Sequence, residues 1–269
     1  MIKKIAIHSV PRSGSTWLGE LFNSHPKVSY SYQPLFSYAF KERLSLHSNS
    51  EDIDVFFNDL ANVKDDFVNQ VKARNTGKLP VFNNKEKTEV VVYKEVRYHH
   101  LIEHLLDTSK DLKLIGLVRN PLAVINSWLN APKEFRKDLG WQIDEEWQFA
   151  PKKNQNKIEE FNGYEKWKEV ASLFLNLKAK YPNQFKLVKY NDLLCDTESV
   201  VKDLFVFSNL EMTKSTLDFI KQSKQKEVDD AYSVFKTRQI DDKWKTQLKA
   251  EIIDYINNDL KGTELETYL

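Results

Sequence analysis

Residues 5–17 read IAIHSVPRSGSTW. The apolar start, Ile5-Ala6-Ile7, predicts a buried parallel strand, since strands covered on both faces carry near-continuous hydrophobic runs. Pro11 ends the run, and Ser13-Gly14-Ser15-Thr16 form a turn of small residues. The following stretch has helical spacing, with Trp17, Leu18, Leu21 and Phe22 on one side. A strand, a tight turn and a helix direct free backbone N–H groups and the positive end of a helix dipole at an anion. Arg12 adds a fixed positive charge and three hydroxyls add donors, so the turn is suited to a phosphate or sulfate.

Working outward, further strands are predicted at 90–93, 113–118 and 185–188, each followed by a helical pattern at about 98–107, 121–131 and 192–207. Residues 162–180 form a long amphipathic helix and residues 51–72 another. Such alternation predicts parallel βαβ units, with the functional crevice at the carboxyl ends of the strands. Residues 132–161 are long and irregular, and an insertion of that kind inside a domain reads as a lid or substrate loop. The 269 residues suit a single domain, 1–269. Forty basic against 39 acidic residues give a net charge of +1, which makes no case for a general nucleic-acid binder. The single cysteine, Cys195, forms no internal disulfide, and no apolar run approaches the roughly 20 residues of a membrane span. These features predict a cytoplasmic protein with no transmembrane segment.

The anion turn is neither a Walker A loop nor a dinucleotide fingerprint. No glycine stands five residues before Gly14, no lysine follows it, and none of the seven glycines is spaced as G-x-G. A second phosphate-directed pattern ends the third predicted strand, LVRNPLAVINSWL. There Arg119 sits at the strand end, Asn120 is a helix N-cap and Pro121 the first helical residue. Ser127 follows eight residues after Arg119. A planar guanidinium donates two parallel hydrogen bonds to a phosphate.

PRSGSTWLGELFNSHPKV resembles the 5′-phosphosulfate loop of the sulfotransferases that use 3′-phosphoadenosine 5′-phosphosulfate (PAPS). It is most similar to the carbohydrate and protein-tyrosine branches, which carry arginine where the cytosolic small-molecule branch carries lysine. The second pattern matches the family's 3′-phosphate motif. The resemblance continues in order along the chain, through LVKYNDLL and YSVFKTRQIDDKW. It implies an α/β fold, a P-loop-like three-layer αβα arrangement with a central parallel sheet. It also implies a donor site of Arg12, Ser13, Gly14, Ser15, Thr16 and Trp17 on the 5′ side, and Arg119 and Ser127 on the 3′-phosphate. Tyr190 would approach the adenine, with Lys236 and Arg238 on a loop closing over the nucleotide. No metal is implied. The acceptor it suggests is a glycan or glycolipid hydroxyl, and Trp128, Trp141, Trp147 and Phe149 are candidates to stack on sugar faces.

Sulfuryl transfer needs an in-line hydroxyl, a base for its proton and cations for the leaving group. Arg12 is the natural leaving-group cation, and Lys94, which matches the position of a family lysine near the sulfate, is expected to guide that sulfate. Where the carbohydrate branch has a glutamate before Pro-Leu, this chain has Gln33, which takes no proton at neutral pH but can hold a hydroxyl. Glu95 is the expected substitute base, followed by His99 and His100. Three other readings stand beside this one: a homologue that binds nucleotide but catalyses weakly, a P-loop kinase, and a zinc peptidase. The last rests on His100-x-x-Glu103-His104, an H-x-x-E-H pattern.

Overall fold

Five strands form one sheet in the computed structural model, which describes residues 2–226, 228, 230, 232–235, 237 and 240–269. They are β1 (Lys3–His8), β2 (Val28–Tyr32), β3 (Val90–Glu95), β4 (Leu112–Val118) and β5 (Phe185–Lys189). Their spatial order is β2-β3-β1-β4-β5, and every neighbouring pair is parallel.

Alternation along the strands supplies two cores. Ile5 and Ile7 of β1 with Val90 and Val92 of β3 pack on the helices Ser15–Asn23, Thr197–Phe207 and Lys214–Gln225. Ala6, Val91 and Tyr93 face the other way, onto Ser50–Ala61, Ile102–Thr108, Pro121–Leu129, Tyr164–Lys180 and Ala250–Leu260. Side chains that point to both faces of a parallel sheet require helices on both faces, and the three-layer αβα architecture follows.

The chain lays β2 and β3 on one side of β1, then crosses to lay β4 and β5 on the other. Such a reversal opens a crevice at the carboxyl ends of the strands. No described helix is long and apolar enough to cross a membrane.

Several boundaries differ from the sequence reading. β2 lies outside the strands that the sequence pattern predicts; its VSYSY alternates serine with larger residues on an edge strand. The expected helix over 51–72 is two: Ser50–Ala61, started by a capping box between Asn49 and Asp52, and Val71–Asn75. The 192–207 stretch divides at Asp196, whose carboxylate accepts from Ser199 N at 3.2 Å and caps Thr197–Phe207. The 98–107 segment opens as a 3-10 turn, His99–Leu101, before its α-helix. Residues 132–161 hold only short helical turns, Lys137–Leu139, Ile143–Glu146 and Pro151–Asn154.

Candidate active site

Each strand delivers one polar group to the same crevice. Arg12 follows β1, Gln33 directly follows β2, Lys94 lies near the end of β3, Arg119 directly follows β4, and Tyr190 directly follows β5. All five line one cleft of about 1080 Å³, roomy enough for a nucleotide with an acceptor beside it.

The turn after β1 places Arg12 at φ +70° and Gly14 at φ +87°, two left-handed residues on either side of Ser13. That conformation is strained for arginine, and such strain concentrates at functional sites. The helix begins at Ser15, and Leu18 N is the first amide to bond back, to Gly14 O at 3.2 Å. Among the described residues the preceding helical amides have no partner, which suits them to an anion. Gly14 lies flush against the Tyr190 ring: a Cβ there would come within 2.4 Å of it, so the donor turn and the ring are fitted to each other. Ser15, Thr16 and Trp17 line the cleft. Ser13 does not; it is buried, and its Oγ has no partner among the described residues.

Asn120 caps its helix as expected, its side chain accepting from Leu122 N at 2.9 Å. Arg119 points into the cleft with its carbonyl fixed by Trp167 Nε1 at 2.9 Å. Its Nε and Nη2 donate to the two oxygens of Asp241 at 2.7 and 2.5 Å, and its Nη1 donates to Arg12 O at 2.6 Å. The expected phosphate fork therefore holds a carboxylate, and it also ties the two arginine-bearing strand ends together. Ser127 accepts from Arg12 Nε at 3.2 Å. Lys236 and Arg238 lie outside the described residues.

Lys94 is buried, with Nζ 4.0 Å from the centroid of the Tyr32 ring. Burial, with Arg97 and Arg12 nearby, lowers its pKa to about 7. Glu95, the next residue, points away from the cleft. Its Oε1 accepts from Leu35 N at 2.8 Å while its Oε2 has no partner among the described residues, and burial raises its pKa to about 8. This position corrects the expectation that Glu95 meets an acceptor hydroxyl, because its alternation on β3 turns it into the protein interior.

The histidines offer no substitute. His99 Nδ1 faces His8 Nδ1 at 3.1 Å in a buried pair, and burial drives both well below the ordinary histidine range. Neither His99 nor His100 lines the cleft. His100 lies in the 3-10 turn while His104 lies in the following helix and contacts Ser48 O at 2.8 Å; Glu103 pairs with Lys180 at 2.5 Å. Among the described residues no three His, Cys, Asp or Glu side chains gather as a metal site. The zinc-peptidase pattern is thus three surface and turn residues with separate partners.

Gln33 has φ +42° and is pinned from two sides, its N donating to Lys94 O at 2.7 Å and its Oε1 accepting from Arg97 Nη1 at 2.8 Å. The aromatic residues at this end are Tyr32, Phe36 and Phe67, two of them substantially exposed. The four named from the sequence do not line the cleft. Trp128 and Trp141 pack edge-on against Phe135, Trp147 stacks with Tyr164, and Phe149 is exposed elsewhere. Their rings fill core or surface, the commoner use of aromatic residues.

Glu95 makes stability pH-dependent. Its raised pKa means that the folded protein retains a proton that the unfolded chain loses from about 4.5 upward. That stabilisation is complete below the unfolded pKa and is lost as pH rises through about 8. Lys94 acts in the opposite sense only from about 7 toward 10.5. Between pH 5 and 7 the Glu95 contribution to stability should therefore fall, by at most about 1.4 kcal/mol per pH unit. Denaturant melts across this range should show Glu95→Gln with a flatter profile than wild type; parallel profiles would refute the assignment.

Comparison with known proteins adds the following. A family model described as Sulfotransferase domain matches residues 3–266. The chain is 26% identical over 251 residues to carbohydrate sulfotransferase 5 of Mus musculus, a match covering 75% of this chain and 62% of that protein's length. Among solved structures, it is similar to mouse sulfotransferase SULT7A1 complexed with PAP, with TM-score 0.55 and 12% identity, over 98% of this chain and 87% of that one. It is also similar to the sulfotransferase domain from the curacin biosynthetic pathway, with TM-score 0.50 and 22% identity, over 97% and 98% of the two chains.

Proposed function

The chain belongs to the sulfotransferase family, whose domain spans residues 3–266, and from that premise we propose that it moves a sulfuryl group from PAPS to a hydroxyl of a glycan or glycolipid. The observation that carries this reading is the meeting of Arg12, Lys94, Arg119, Ser127 and Tyr190 in one cleft. The residues fit a doubly anionic nucleotide. Free amides at a left-handed turn offer one anion site, and Arg119 already grips a two-oxygen acid through its fork.

In this reading the amides of Ser15, Thr16 and Trp17 hold the 5′ side, while Arg119 and Ser127 hold the 3′-phosphate. Tyr190 and Trp17, whose rings meet edge to face at 6.3 Å, flank the adenine. Lys236 and Arg238 are retained as closing cations. Arg12 neutralises charge on the leaving 5′-phosphate and Lys94 guides the sulfuryl oxygens. Charge stabilisation of this kind, aimed at the transition state, is the main source of catalysis where the transferred group is loosely held.

A glycan acceptor is supported by the similarity to a carbohydrate sulfotransferase and by the exposed faces of Phe36 and Phe67 beside the hydrogen-bonding groups of Gln33 and Arg97. Flat apolar faces next to planar polar groups suit a sugar ring with its hydroxyls. The lone cysteine supports a cytoplasmic setting. Gln33 in place of a carboxylate favours one second reading, a nucleotide-binding member with weak catalysis.

Two measurements separate these readings. Calorimetry should show 3′-phosphoadenosine 5′-phosphate (PAP) bound far more tightly than 5′-AMP. Sulfur-35 from labelled PAPS should appear in a member of a panel of neutral oligosaccharides and glycolipids. Binding without transfer would select the weak homologue, and equal affinity for both nucleotides would sink the donor assignment.

A further inference from the structure

A base must stand where Arg12 and Lys94 meet the acceptor, and among the described residues four carboxylates line the cleft: Asp66, Glu134, Asp230 and Asp241. Asp241 is committed to Arg119. Asp230 accepts from Lys78 at 2.5 Å and from Tyr232 N at 2.8 Å. Asp66 is exposed at the rim, in the segment that carries Phe67. Among the described residues Glu134 meets the leaving-group cation directly: its Oε1 accepts from Arg12 Nη1 at 3.2 Å. It is a quarter exposed, so a proton it takes has a path to water. Its charge also acts on Lys94, Tyr32, Lys153 and Tyr232, the side chains that face it from β3, β2, the 132–161 segment and the segment before residue 241.

We propose that Glu134, delivered by the irregular 132–161 segment, is the general base of the transfer and replaces the carboxylate that Gln33 lacks. The inference rests on the sulfotransferase reading. The acceptor oxygen forms a bond to sulfur as the bond from sulfur to the bridging 5′-phosphate oxygen breaks. The electron pair of that bond leaves with PAP, and the acceptor's proton passes to the Glu134 carboxylate. Arg12 links the two halves of the step. In the pair, Glu134 satisfies the guanidinium; a phosphosulfate that draws on Arg12 releases the carboxylate for the hydroxyl. Gln33, pinned by Arg97 and by the Lys94 carbonyl, is left to hold that hydroxyl through its amide.

The test compares wild type with Glu134→Gln, using labelled PAPS and two acceptors. One is the neutral oligosaccharide that wild type sulfates best. The other is 4-nitrophenol, whose hydroxyl ionises near neutrality and needs little help from a base. Glu134→Gln should lower kcat about a hundredfold toward the oligosaccharide and less than about threefold toward 4-nitrophenol. PAP binding by calorimetry reports on folding of the variant. Equal losses with both acceptors would mean that Glu134 acts only by positioning Arg12 and would overturn the proposal. Unchanged oligosaccharide turnover would overturn it too, as would a silent Glu134→Gln beside an inactive Glu95→Gln. If wild type binds PAP but transfers to no acceptor, the weakly catalysing reading is selected, and the inference falls with the active one.

Discussion

Replacing Arg12 by alanine is expected to reduce sulfuryl transfer about a thousandfold while weakening PAP binding far less. The reasoning starts from where the guanidinium sits. Its left-handed backbone at φ +70° raises it from the donor turn, and Ser127 Oγ, Glu134 and the Tyr232 ring surround it. A cation held this way is worth most when charge grows on the bridging oxygen, which happens in the transition state and not in the bound donor. Loss of one such preorganised donor costs roughly 10²–10³ in kcat. Arg12 also holds the proposed base, which places the effect at the upper end. Arg12→Lys keeps the charge without the fork and should recover part of the rate. Single-turnover kinetics with labelled PAPS separates chemistry from binding. An alanine variant that lost affinity and rate in equal measure would make Arg12 a binding residue only.

Much of this arrangement could be read along the chain because strand ends are local. Lys94, Arg119 and Tyr190 each come at the end of a stretch with a strand pattern, and a parallel sheet brings such ends together. Gly14 and Asn120 were legible for the same reason, since turn and cap chemistry act within a few residues. The side chains that complete the site were not. Glu134 and Asp241 each stand 122 residues from the arginine they meet, in segments without hydrophobic periodicity. Nothing local in a stretch such as APKEFRKD tells which carboxylate turns inward. Glu95 failed as a reading for the opposite reason. It was placed by sequence adjacency to Lys94, yet neighbours on a strand face opposite sides of a sheet. β3 covered on both faces made one of the two bury its carboxyl away from the cleft, and that alternation could have been applied from the sequence.

The clearest test of the nucleotide assignment is Arg119→Ala, which should weaken PAP by a factor of about 10²–10³ and leave 5′-AMP within a few-fold of wild type. Two charge-assisted hydrogen bonds from the fork are lost, each worth about 1.5–3 kcal/mol. The sum is moderated because wild type must first exchange a partner: the same Nε and Nη2 hold Asp241 at 2.7 and 2.5 Å. A phosphate reaching the fork displaces that carboxylate or binds against its charge. Asp241→Asn should therefore tighten PAP, by about tenfold, without changing 5′-AMP. In the Arg119→Ala background the same substitution should have a much smaller effect, because the carboxylate no longer competes for a guanidinium. Calorimetry on the four proteins closes this cycle. Arg119 also donates to Arg12 O at 2.6 Å, so a purely structural role predicts a different pattern: both nucleotides would weaken together as the donor turn loosens. Parallel losses for PAP and 5′-AMP would place the 3′-phosphate elsewhere in the cleft. Selective loss of PAP, relieved in advance by Asp241→Asn, would fix it at the end of β4.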